Sequence, residues 1–159
     1  MAMHELAIRR AVAADAAELT AIARRAKADY GYPEEWLKQW EPELTITPAY
    51  IAANRVFVAA RGGALLGLCA AEDRGASWTL EHVWVEPVHQ GMGVGSALVK
   101  HALAEIRLVR PGMVQVASDP HATGFYEALG ATTAGTAPAP MPGAPGRELI
   151  LYKFKVSRG

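Results

Sequence analysis

The residues Glu86-Pro87-Val88-His89-Gln90-Gly91-Met92-Gly93-Val94-Gly95-Ser96 join an apolar run to a helical pattern, and their chemistry is that of a phosphate cradle. The first amides of a helix have no partners inside it and lie at the positive end of its dipole, so they favour an anion. Glycines let a diphosphate approach those amides without meeting a β-carbon. A dinucleotide-binding turn would need glycines at the first, third and sixth positions of a parallel β-α-β unit. Here Ser96 holds the sixth place after Gly91, and the Gly-Lys-Ser/Thr ending of a Walker loop is absent. On this turn alone, a glycine-rich connection without any ligand stays open.

Other residues could carry proton chemistry. Glu81 and His82 precede the turn, and strand alternation puts Glu81 on the face of Val83 and Val85 with His82 on the opposite one. Ordinary strand-surface polarity explains both equally well. Tyr126 sits among Ala122, Phe125 and Leu129, a helical spacing that reads first as a core tyrosine. The single cysteine, Cys69, excludes an intrachain disulfide; its run Ala64 to Ala70 reads as a buried strand and the thiol as a small hydrophobe. His4, His89, His101 and His121 lack paired metal-ligand spacing with acidic neighbours, so no metal is expected. Trp36, Trp40 and Tyr50 read first as packing against a sheet; a wall for a small molecule or a cation is the alternative.

The elements that must position these residues follow from periodicity. Leu6, Ile8 and Val12 mark a first strand, and Asp15-Ala16-Ala17-Glu18 reads as a capping box opening a helix through Leu19, Ile22, Ala23 and Ala26. Gly31-Tyr32-Pro33 interrupts it, a short helix is expected from Glu34 to Trp40, and Thr47-Pro48 offers another helix start. Val56 to Ala60 and Leu65 to Ala71 flank Gly62-Gly63 as a hairpin, and Trp78 to Val85 forms the next strand after a turn at Arg74-Gly75. A long helix to about Arg107 follows the glycines. Val114 to Ala117 is then a short strand, Asp119-Pro120 starts a helix that ends at Gly130, Ala137 to Gly146 is a loop, and Leu149 to Val156 is the last strand.

The 159 residues fit one domain, with no repeat. Sixteen basic residues cancel sixteen acidic ones, so no net field draws the chain to nucleic acid or anionic lipid. Met1 to Val12 lacks the apolar stretch of a signal peptide and no segment is long enough to span a bilayer, which makes a cytoplasmic protein the expectation.

Gln90-x-x-Gly93-x-Gly95, preceded by Val83-Trp84-Val85-Glu86-Pro87, resembles the pyrophosphate-binding signature of the GNAT superfamily of N-acetyltransferases. Ala117-Ser118-Asp119-Pro120-His121-Ala122-Thr123-Gly124-Phe125-Tyr126-Glu127-Ala128-Leu129-Gly130 resembles the family's second signature, matching at Ala122, Phe125, Tyr126, Leu129 and Gly130. Asp119 departs from it by standing where the family often has Asn. An ionised Asp cannot donate to a pantetheine carbonyl, which leaves it a helix cap.

The resemblance implies an α+β fold: a mixed, mostly antiparallel central sheet flanked by helices, in β-α-α-β-β-β-α-β-α-β order, over a single domain 1–159. It implies transfer of an acetyl group from acetyl-CoA to a primary amine by direct attack in a ternary complex. The main chain of Val83, Trp84 and Val85 would pair with the pantetheine arm. Gln90, Gly91, Met92, Gly93, Val94, Gly95 and Ser96 would hold the pyrophosphate, and Ala122 and Phe125 would complete the cofactor site. An amine must shed its proton to attack a thioester, so the reaction needs a base and a donor for the departing thiolate. Tyr126 is the implied donor and Glu81 the candidate base, directly or through water; His82 is the weaker candidate. Trp36, Trp40 and Tyr50 would border the acceptor, and Arg147 could recognise a carboxylate if the loop before it lines the site. The acceptor is a small-molecule or peptide amine, a homodimer is left open, and neither nucleic acid nor membrane is expected. The alternative is a GNAT-like module that binds an acyl-CoA as a sensor without turnover.

Overall fold

Residues 5–158 are described in a computed structural model of the chain, so His4 lies outside them. The strands are β1 (Ala7–Arg10), β2 (Arg55–Arg61), β3 (Ala64–Asp73), β4 (Trp78–Val85), β5 (Gly112–Ser118), β6 (Thr132–Pro138) and β7 (Glu148–Val156). The helices are α1 (Ala16–Ala28), α2 (Glu34–Trp40), α3 (Pro48–Ala53), α4 (Val94–Val109) and α5 (Thr123–Ala128). The sheet order is β1-β2-β3-β4-β5-β7-β6. β1 with β2, β2 with β3, β5 with β7 and β6 with β7 pair antiparallel, whereas β4 and β5 run parallel. This is the expected mixed, mostly antiparallel α+β sheet.

The chain forms two compact units, one of residues up to Ala71 with His82–Ala102, the other of Glu72–Glu81 with residues from Leu103 onward. In the first, β1, β2 and β3 pair in series, with the β2–β3 hairpin turned by Gly62 and Gly63 at φ 57° and 86°. Both values lie in the left-handed region that a two-residue hairpin turn demands and glycine adopts freely. Leu19 and Ile22 of α1, Ile51 of α3, and Val56, Val58 and Leu68 of the strands share one buried cluster, against which Tyr50 and Trp84 pack. Thr47 caps α3 by accepting from the Tyr50 amide at 3.0 Å. In the second unit, β5 pairs along its whole length with β7, which pairs in turn with β6.

Two local expectations are corrected. Asp15 does not accept from the Glu18 amide. A 3-10 turn at Ala13–Asp15 starts the helix early and gives Asp15 helical angles, φ −79° and ψ −17°. Its carboxylate instead accepts from the Val12 amide at 2.8 Å and takes both prongs of the Arg9 guanidinium at 2.8 and 3.1 Å. The element order also gains a strand, β6, and counts as a separate helix, α3, the one that Thr47-Pro48 was read to start. The strand Thr-Thr-Ala-Gly-Thr-Ala-Pro is exposed at nearly every position, slips register between Thr133 and Thr136, and has Gly135 at φ 105°. Such an edge strand carries no apolar alternation to betray it.

Candidate active site

In the first unit, the glycine loop is anchored before it begins. The Glu86 amide donates to the Leu66 carbonyl at 2.8 Å, and the Glu86 carboxylate takes the Arg25 guanidinium at 2.8 and 2.7 Å. The chain then makes a 3-10 turn at Pro87–His89, and the Gln90 side-chain amide donates back to the Val85 carbonyl at 3.5 Å. Gly91 and Gly93 follow at φ 77° and 83°. A side chain would be strained at either, which is the local reason for glycine here.

The Ala97 amide donates to the Gly93 carbonyl at 3.0 Å, so Gly93 stands at the cap of α4. The amides of Val94, Gly95 and Ser96 precede that first intrahelical bond, and the 16-residue helix puts the positive end of its dipole behind them. Gln90, Gly91, Met92 and Gly93 are exposed, Ser96 is half-buried, and Val94 and Gly95 are buried. Met92 is 59% exposed, so its side chain packs little and the main chain is what this position offers a ligand.

Val83, Trp84 and Val85 are half-buried at the end of β4. Their backbone runs close against the neighbouring β3: a β-carbon placed on Gly67 would stand 2.7 Å from the Trp84 carbonyl oxygen and 3.3 Å from the Val85 Cα. The Trp84 indole N–H donates to His82 Nδ1 at 3.0 Å, which assigns the imidazole proton in this arrangement to Nε2. His82 is buried, and the Tyr50 ring meets it edge-on at 5.6 Å. The Lys27 ammonium lies 4.1 Å from the centroid of Trp40, 5.2 Å from Tyr32 and 5.9 Å from Trp84. Trp36 and Trp40 meet edge-to-face at 5.8 Å, both are buried, and both pack on the Tyr32 ring.

In the second unit, β4 pairs with β5 at Trp78↔Val114 and Thr79↔Gln115, and the exposed Glu81 lies two residues beyond Thr79. Tyr126 is buried, with the Phe125 ring edge-on at 5.0 Å and the Tyr152 ring at 5.8 Å and 32°. Ala122 and Phe125 are half-buried on the same short helical segment. Burial, and next the charge of Glu127, pushes the Tyr152 hydroxyl above its ordinary range.

Asp119 acts as a cap, accepting from the His121 amide at 2.9 Å, and its carboxylate also meets His121 Nδ1 at 2.8 Å and the Arg147 guanidinium at 3.5 Å. Arg147 is only 9% exposed at its side chain and also donates to the Ala139 carbonyl at 3.3 Å. The guanidinium suggested for an acceptor carboxylate therefore faces one of the protein's own.

Sequence patterns had not singled out Gly67, Arg25, Lys27 or Tyr152. Tyr152 carried a signal, since it alternates inward with Ile150 and Phe154. The other three take their roles from long-range contacts. Cys69 is buried, and burial pushes its thiol up to about 12, which leaves no nucleophile at neutral pH. Among the described residues there is no group of three or more His, Cys, Asp or Glu that could hold a metal ion, and no helix is long and apolar enough to cross a membrane.

Residues 52–130, about half the chain, match the family model described as an acetyltransferase (GNAT) domain. No curated protein matches by sequence. Among solved structures, the chain is similar to the PaiA N-acetyltransferase of Thermoplasma acidophilum in complex with coenzyme A, with TM-score 0.81, 16% identity, and 95% of this chain and 99% of that one covered. It is similar to the ribosomal-protein-S18-alanine N-acetyltransferase of Escherichia coli, with TM-score 0.73, 20% identity, and 98% and 96% covered. YncA of Salmonella typhimurium, solved with its cofactor acetyl-CoA, gives TM-score 0.72, 18% identity, and 98% and 96% covered.

Proposed function

Because the chain belongs to the GNAT acetyltransferase family, we propose that it moves the acetyl group of acetyl-CoA onto a primary amine, by direct attack within a ternary complex. The observation that carries this reading is the loop opening α4. Two left-handed glycines and the first helical amides, anchored through Glu86, form a cradle suited to a diphosphate. The site as read comprises Gln90, Gly91, Met92, Gly93, Val94, Gly95 and Ser96 for the pyrophosphate, and the main chain of Val83, Trp84 and Val85 for the pantetheine arm. Ala122 and Phe125 complete the cofactor's surroundings. We read residues 1–159 as a single functional domain of a cytoplasmic enzyme, acting alone or as a homodimer.

In the reaction as proposed, the amine nitrogen bonds to the thioester carbon and the carbonyl oxygen takes up the negative charge. A main-chain amide of Val83–Val85 stabilises that charge. Collapse breaks the carbon–sulfur bond, and the thiolate takes the phenolic proton of Tyr126. Glu81, exposed in β4, receives the proton that the amine gives up, directly or through water.

Calorimetry with coenzyme A, followed by thiol release from acetyl-CoA across a panel of amines, tests the proposal. Saturable coenzyme A binding weakened by Gly93→Val, together with amine-dependent thiol release, is expected. Binding without release by any amine would identify a sensor instead. Absence of coenzyme A binding would overturn both readings.

A further inference from the structure

The tryptophans and tyrosines of α1–α2 form a box whose occupant is already present. Tyr32 stacks on Trp36 at 5.5 Å and meets Trp40 edge-on at 5.0 Å, while Tyr30 meets Tyr32 at 6.1 Å. These rings brace one another and leave their negative faces to a cation. Lys27 supplies it: the ammonium sits over Trp40, Tyr32 and Trp84, and the residue is only 9% exposed.

Two contacts tie this box to the end of β4. Trp84 is one of its walls and belongs to the strand segment read above as the thioester's resting place. Arg25, one half-turn of α1 before Lys27, is clamped to Glu86 immediately after that strand. The Trp84 wall is itself fixed through the indole bond to His82. A buried positive charge therefore stands 5.9 Å from the Trp84 ring, in an aromatic enclosure that could otherwise receive an external ammonium.

We propose that Lys27 is a specificity-determining residue: by filling the box of Tyr32, Trp40 and Trp84 from within, it bars acceptors bearing a second cationic group and selects amines whose remaining substituent is neutral or anionic. The inference rests on the acetyl-transfer reading above and narrows its acceptor class. An amine's second ammonium meets an occupied cage and a like charge, and both effects act against it. Diamines and polyamines are thus poor acceptors, while monoamines and amines carrying a carboxylate are accepted.

The test compares kcat/KM for propylamine, β-alanine and putrescine in the wild type, Lys27→Met and Lys27→Arg. Met keeps the packing of the stem without its charge, and Arg keeps the charge. The wild type should use putrescine at least tenfold less well than propylamine. Lys27→Met should narrow that ratio about tenfold, and Lys27→Arg should preserve it. Tryptophan fluorescence titrated with tetramethylammonium should respond in Lys27→Met alone, and coenzyme A affinity should be the same in all three proteins. A putrescine-to-propylamine ratio unchanged within twofold in Lys27→Met, or a wild type that prefers putrescine, overturns the assignment while leaving acetyl transfer intact. A protein that binds coenzyme A and acetylates no amine overturns the reaction and this specificity with it.

Discussion

Replacing Gly67 by Ala should damage cofactor binding from the strand next to β4. Gly67 lies in β3 beside a register shift between Ala59 and Ala60, and its α-carbon faces the Trp84 carbonyl. An alanine β-carbon there would meet that oxygen at 2.7 Å and the Leu98 Cδ1 at 3.3 Å. The oxygen is backbone, so no rotamer change relieves the clash, and ordinary contact at 3.4 Å requires a displacement of about 0.7 Å. Overpacking of this kind costs about 1–3 kcal/mol of stability. An amide bond to a ligand at about 2.9 Å, stretched by that amount, leaves hydrogen-bonding range. Each bond lost is worth about 0.5–1.5 kcal/mol, so coenzyme A should bind roughly three- to tenfold more weakly.

Gly31→Ala is the matched control. Gly31 has φ 83° with nothing within 4 Å of an added β-carbon, so the substitution stores backbone strain of about 1–2 kcal/mol without a clash. Both variants should lose several degrees of Tm, and only Gly67→Ala should show a raised Kd in calorimetry. Equal coenzyme A affinity in the two destabilised variants would refute the claim that β3 sets the position of β4 for binding.

Tyr126→Phe keeps the ring contacts with Phe125 and Tyr152 and should lower kcat by about a hundredfold or more at unchanged coenzyme A affinity; unchanged turnover would remove the acid role. Glu81→Gln should abolish the acid limb of the pH–rate profile, and a normal profile would assign the base elsewhere. Cys69 should resist Ellman's reagent at pH 8 until the protein unfolds. The buried thiol keeps its proton while the unfolded chain sheds it above about pH 9. Stability measured by urea unfolding should therefore fall by about 1.4 kcal/mol per pH unit between there and about 12. The Arg9 hydrogen bond holds the Asp15 carboxyl below its ordinary range, so its contribution is present above about pH 4 and is lost as pH falls through the lower folded value. Arg9 is 45% exposed at its side chain, and solvent screening limits the pair to about 1 kcal/mol. Asp15→Asn should therefore cost about that much in urea unfolding at pH 7 and progressively less as pH falls below about 4 through the lowered folded value.

What the sequence disclosed and what it hid divide along one physical line: whether the determining partner is near in the chain. Gly91 and Gly93 could be read because a turn into a helix, its conformational demand and its free amides all fall within a few consecutive residues. The Gly62-Gly63 hairpin, the Thr47 cap and the stop at Gly130, φ 96°, are local in the same sense. Gly67 looked like any small residue in an apolar run, because its requirement comes from a carbonyl seventeen residues away. Lys27 carries no local signal, since nothing in α1 itself announces the rings of Tyr32, Trp40 and Trp84. Arg25 differs only in having Glu86 as its distant partner. The first unit thus combines two kinds of device. The loop proposed as a diphosphate cradle is written locally, whereas the residues that fix where the end of β4 lies and which charge meets the Trp84 ring are set by contacts that only the folded chain makes. On the readings proposed above, a local signature would specify the cofactor, and the choice of acceptor would fall to residues such as Lys27, whose partners Tyr32, Trp40 and Trp84 lie elsewhere in the chain.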